Sequence, residues 1–194
     1  MKKRFIFLLL AHSLVLGACA PVSPKGPAIT AQMLLEERRT REVILTDREI
    51  EAEAYSELNS DNAIRDQCRV AVNAYNGAVL VTGEAPTEDL GKKIIAAVQT
   101  IANVKLVHNN LIIGHPIDVA ARANDSAITD GVKKALEQIR TLPDFSPAMV
   151  KVITEDGTVY LMGWVHRDEG TVVINVTRLQ PGIKQIITVF EYID

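Results

Sequence analysis

Two stretches of the chain carry the same order of apolar and polar positions. Asp47-Arg48-Glu49-Ile50 recurs 78 residues on as Asp125-Ser126-Ala127-Ile128, and Ile50, Ala54, Leu58 are answered by Ile128, Val132, Leu136. A spacing of four keeps such residues on one slowly drifting helix face. A helix is therefore predicted at the head of each stretch. The first is opened by a capping box of Thr46 and Glu49, and the second runs from Ser126 to about Arg140. Val70-Ala71-Val72 and Val150-Lys151-Val152 then lead to Asn76-Gly77 and Asp156-Gly157, the dipeptides that best tolerate the positive φ of a tight hairpin. Each turn enters a strand ending in glycine, over residues 79–83 and 159–163. Pro86-Thr87-Glu88-Asp89 starts a second helix, with Leu90, Ile94, Val98 and Ile101 as its buried face. Residues 104–107 answer 183–186, and strands follow over 109–113 and 188–193. The offset stays near 79 through several separate elements, so helix–strand–strand–helix–strand is written twice. Each copy, of roughly 70 residues, is large enough for its own core.

One segment conflicts with its neighbours. Thr171-Val172-Val173-Ile174-Asn175-Val176-Thr177 is rich in β-branched residues and alone reads as a strand. It occupies the second-helix slot of the repeat, however, and Val172, Val173, Val176 and Leu179 fit a helical face. The repeat predicts a helix there, since tertiary context overrides propensity.

The N-terminus is built differently. Lys2, Lys3 and Arg4 precede an apolar run over residues 5–16, and Leu16-Gly17-Ala18 sets small residues before Cys19. This is the layout of a secretory leader, too short to span a bilayer. Leu16-Gly17-Ala18-Cys19 resembles the lipobox of bacterial lipoproteins, which implies an acylated Cys19 as the mature N-terminus. Ala20, where an Asp would favour inner-membrane retention, implies the outer membrane, with the protein lipid-anchored and facing the periplasm. Pro21, Pro24, Gly26 and Pro27 form an extended spacer; residues 29–42 read as a partly ordered tether, and Val43-Ile44-Leu45 as a short strand or a lead into the first domain. Loss of the leader takes the net charge from −3 to −6, with 18 basic against 24 acidic residues. That balance argues against nucleic acid as a partner. Cys68 is left alone without a disulfide partner and reads as a core thiol.

No constellation of reactive groups emerges. His108, His115 and His166 lack metal-ligand spacing, no nucleophile elbow or phosphate loop occurs, and Glu49, Glu51 and Glu53 read as a solvated helix surface. An enzyme, a metal site and a cofactor are not expected. The helix from Ser126 carries the candidate surface. Ile128, Val132, Leu136 and Ile139 form its packing row, Lys133 and Arg140 share a flank, and Lys134 and Ala127 point away from the core. Basic residues bordering small or apolar ones can seat anionic headgroups while their alkyl stems lie on lipid. A plain solvated face is the competing reading. Leu142, Phe145 and Met149 are further apolar residues that could lie near a membrane, and Trp164 could sit there or between the domains.

The hairpin pattern Val-x-Val-x₄-Gly-x-Val-x₃-Gly, present in both copies, resembles the BON domain. Behind a lipobox, it resembles the dual-BON family of division- and outer-membrane stress-associated lipid-binding lipoproteins. Arg38-Arg39-Thr40, Gly114-His115-Pro116-Ile117, Asn124-Asp125 and Glu155-Asp156-Gly157-Thr158-Val159-Tyr160-Leu161-Met162-Gly163 carry the resemblance from Arg38 onward. Glu42 departs from a usual glycine, and Ala127 from an aromatic found in some members at the helix credited with lipid contact. The resemblance implies an α+β protein of two tandem αββαβ domains, each a three-stranded mixed sheet packed by two helices. Its parts would be a leader over 1–18, a lipidated tether over 19–45, domains over 46–114 and 124–194, and a linker over 115–123. It also implies a non-catalytic protein that binds anionic, phosphatidylglycerol-like phospholipid through the second domain and supports envelope integrity, including at the division site. Ala127, Ile128, Val132, Lys133, Lys134 and Arg140 are the lipid-binding candidates. The alternative is a periplasmic scaffold docking on an outer-membrane assembly or a cell-wall partner.

Overall fold

The structure is a computed structural model and describes residues 28–193; the leader and Cys19 lie outside the described residues. Two modules of the same architecture follow a short helix, α1 (Ala31–Glu36). The first comprises α2 (Arg41–Ser60), α3 (Asn62–Gln67), β1 (Arg69–Tyr75), β2 (Ala78–Ala85), α4 (Glu88–Gln99) and β3 (Leu106–Ile113). The second comprises α5 (Val119–Leu136), a 3₁₀ turn (Pro147–Met149), β4 (Val150–Glu155), β5 (Thr158–His166), α6 (Arg167–Arg178) and β6 (Gln185–Ile193). Each sheet is mixed, with the central strand antiparallel to its hairpin partner and parallel to the last strand. The β-branched segment 171–177 lies in α6, as the repeat requires.

Both leading helices begin earlier than their apolar rows suggest. Thr40 caps α2, its hydroxyl accepting from the Val43 amide, so Thr46 is an interior residue and no capping box forms there. Residues 43–45 accordingly form no strand. Asp118 caps α5, because the alanine-rich run Val119-Ala120-Ala121-Arg122-Ala123 propagates helix back from Asn124. Residues 114–118 connect β3 to α5. At its far end α5 stops at Leu136, leaving Arg140 in the following turn.

The repeated aspartates explain why the motif is written twice. Asp47 is 3 % exposed and accepts hydrogen bonds from the backbone N–H groups of Asn76 and Gly77, both at 2.8 Å. Asp125 does the same for Asp156 and Gly157, at 2.8 and 2.7 Å. Both turns have positive φ at their two central residues, which aims two amides at one carboxylate. Each first helix thus holds its own hairpin by the tip.

Along β2, Val79, Val81 and Ala85 face α2 and α4, while Leu80, Thr82 and Glu84 face the second module; all six are essentially fully buried. In β5, Val159, Leu161 and Val165 face the helices, and Tyr160, Met162 and Trp164 face the first module. The layers run helix, sheet, sheet, helix. Tyr75, Leu80, Tyr160 and Met162 form the central seam, with Ile153, Trp164, Ile187 and Val189 packed around it. Arg69 pairs with Glu84 of its own sheet and with Glu155 of the other. The Tyr75 hydroxyl donates to the Met149 carbonyl at 3.0 Å; burial, then nearby Glu37, pushes its pKa up to about 12, so it remains a donor.

Residues 37–40 are a strap across this seam, more ordered than a loose tether. Arg38 grips Glu169 through two bonds of 2.6 and 2.7 Å and donates to the Trp164 carbonyl. Arg39 bonds Glu37 and Asp47, and its guanidinium lies 3.7 Å from the centre of the Tyr75 ring. Burial pushes the Glu169 carboxyl up, but the Arg38 bonds and the His166 amide outweigh it and hold the group below the usual glutamate range.

Two outcomes are expected. Asp125→Ala leaves the buried Gly157 amide and the half-buried Asp156 amide without an acceptor and should cost about 3 kcal/mol, read as a lower urea midpoint with unchanged slope. Because Glu169 is depressed, its contribution is present above the ordinary glutamate pKa and lost as pH falls through the lower folded value. Fluorescence of Trp164, the single tryptophan, should therefore report an acid transition that Arg38→Gln moves to higher pH, with a loss of about 2 kcal/mol at neutrality.

Candidate lipid-facing surface

The helix proposed from sequence is seated by its apolar row. Ile128, Val132 and Leu136 are 5, 0 and 1 % exposed and pack into the second core. Ile128 and Val132 therefore hold the helix to its sheet and are closed to a lipid, which corrects their place among the contact residues. Arg140 is also displaced from the proposed flank: it is beyond the helix, and its guanidinium caps the carbonyls of Glu137 and Ile139.

Ala127, Lys133 and Lys134 are exposed. Neither lysine has an ion-pair partner among the described residues, whereas Lys151 and Lys184 are paired with Glu51 and Asp156. Consecutive residues on a helix point about 100° apart, so the two lysines serve different sides. Lys134 continues the stripe of Ala127 and Gly131, which runs beside the turn after α6, where Gly131 approaches Gln180 and Leu179 is 81 % exposed. Lys133 follows Thr129, whose hydroxyl bonds Thr154 on β4, and lines the space where the two modules meet.

On that side the modules leave a groove of about 460 Å³. Met33 of α1, Ile44, Ala74, Ala148, Val150, Val152 and Ile153 provide its apolar lining. Arg39, Arg48, Lys133 and Lys151 are its cations, against Asp47 and Glu51. Both carboxylates are engaged: Asp47 by Arg39 and the hairpin, Glu51 by Lys151 and the Ala74 amide. Glu51 is thus a domain-joining residue and does not belong to a plain solvated face.

Lys151, Asn73 and Met33 were missed from sequence. The signal for the first two is strand parity: each sits between apolar residues that face the helices, and so must face the partner sheet. Phe145 packs against the second core, Met149 is buried in the 3₁₀ turn that lies against α1, and Trp164 lies at the seam. Cys68 is half-buried against the first core, where burial pushes its thiol pKa up.

Comparison with known proteins supplies the kinship. The BON domain family matches residues 46–115 and again 124–194. The chain is 28 % identical over 187 residues to the outer membrane lipoprotein DolP of Haemophilus influenzae, covering 96 % of this chain and 95 % of that protein. It is 29 % identical over 147 residues to a 21 kDa hemolysin of Actinobacillus pleuropneumoniae, covering 76 and 74 %. CdsD, a structural protein of the Chlamydia trachomatis type III secretion system, aligns with a TM-score of 0.31 and 13 % identity over 75 % of this chain and 92 % of that one, too remote a likeness to bear on function. The duplicated, hairpin-locked module is the BON domain, and the chain belongs to that family as a two-domain member related to outer membrane lipoproteins.

Proposed function

We propose that this is a non-catalytic, periplasm-facing lipoprotein of the outer membrane that binds anionic phospholipid through α5 of its second domain and supports envelope integrity, including at the division site. The observation that carries the reading is Lys134, exposed beside Ala127 on a helix clamped to its sheet, with the equally exposed Lys133 one residue before it toward the groove; neither lysine has an ion-pair partner among the described residues. Ammonium groups held at a fixed height above small residues meet headgroup phosphates at little conformational cost, at about 1 kcal/mol per lysine near an anionic surface. The net negative charge of the chain makes this local patch, and not the whole protein, the source of attraction. Acyl chains on Cys19 would supply the durable anchor, and the helix would then act at high effective concentration. Where family members carry an aromatic, Ala127 offers less apolar area, so electrostatics carries more of the contact here.

The chain from Ala20 to Asp194, which lacks the acylated cysteine but keeps every described residue, should float with vesicles rich in phosphatidylglycerol and not with neutral ones. Lys133→Glu combined with Lys134→Glu should cut recovery at least tenfold at low salt. Equal recovery on both vesicle types would overturn the reading. Co-purification of a protein partner that survives the charge reversal would favour the scaffold instead.

A further inference from the structure

We infer that the groove between the modules is a site for a single anionic phospholipid, its phosphate held by Lys133 and Lys151 and the first carbons of its chains on the apolar lining. The inference rests on the reading above, and it divides the roles of two neighbouring lysines that a surface-only contact would treat alike.

Three observations converge. Both carboxylates of the groove are already engaged, Asp47 by Arg39 and the hairpin amides and Glu51 by Lys151 and the Ala74 amide, so neither is held to Lys133. Lys133 stands on its wall without a partner among the described residues, which leaves three ammonium donors for an incoming oxyanion. The lining next to these cations includes the half-buried apolar side chains of Met33, Ala148 and Ile153. A free phosphate would gain nothing from that lining, whereas an amphiphile satisfies both parts.

The path of the chain points to a membrane lipid as the occupant. Met33 and Arg39 belong to the segment arriving from Cys19, so one wall of the groove is the tether itself. Eight residues separate Cys19 from Ala28, nine Cα-to-Cα steps with a reach of about 30 Å when fully extended. An acylated Cys19 would keep the groove within that reach of the headgroups.

The test titrates the chain from Ala20 to Asp194 with dihexanoyl-phosphatidylglycerol below its micellar concentration, following backbone amides by NMR. Shifts should concentrate at Ala74, Lys151, Val152 and Lys133. Lys133→Gln should weaken binding about fivefold, while Lys134→Gln, one residue on and outside the groove, should leave it unchanged. Glycerol 3-phosphate should bind at least tenfold more weakly than the short-chain lipid. Equal effects of the two lysine substitutions, or shifts confined to Ala127 and Lys134, would overturn the site while leaving vesicle binding intact. Equal affinity for glycerol 3-phosphate would overturn the lipid as occupant. Groove binding that persists when flotation on anionic vesicles fails would uphold the site and remove the membrane reading instead.

Discussion

A three-stranded sheet with helices on one face has a second face that must be covered, and here each sheet covers the other. Leu80 and Met162 are fully buried although neither touches the helical core of its own module. Burying such side chains stabilises by about 2 kcal/mol each. This seam makes the tandem repeat one body, and the groove, the strap and the divergence of the two lysines all follow from it. Were the modules independent, Lys133 would face open solvent.

Charge is used at the seam in two opposite ways. Glu169 is held ionised by Arg38 against its burial, so that contact weakens as the medium acidifies past the ordinary glutamate range. Glu155 is pushed up, by burial that Arg69 only partly offsets and with Glu84 and Asp125 adding to the rise. Its contact is therefore eased as protons bind between the ordinary value and the raised one. The two carboxylates respond with opposite sign in adjacent pH windows, so their joint contribution to domain packing is greatest near the ordinary glutamate pKa.

Much of this fold could be read in the residues. The offset near 79 located both modules, and it decided correctly for a helix over 171–177 against local propensity. Helix starts were misplaced because the caps, Thr40 and Asp118, lie a full turn or more before the repeated aspartates. Those aspartates stood out only as part of the repeat and are interior acceptors for hairpin amides, a role visible only once helix and turn are brought together. The seam was legible in principle: Val79-Leu80-Val81 and Val159-Tyr160-Leu161-Met162 are apolar on both strand faces, the mark of a strand buried on both sides. The strap was not, since Arg38 and Glu169 are 131 residues apart and nothing local couples them. For the candidate surface, periodicity separated the packing row from Lys134 and Ala127, but it could not tell that Lys133 looks into a space between domains.

The two aspartate locks differ in one respect. Asp125 serves its hairpin alone, whereas Asp47 also receives Arg39 from the strap. A pull on the N-terminal segment is therefore delivered to the tip of the first hairpin, through a guanidinium that also rests on Tyr75 at the seam. The second module is loaded separately, through Arg38 and Glu169. Tension on the N-terminal segment would be shared by both halves from adjacent residues, and neither half would take the strain alone.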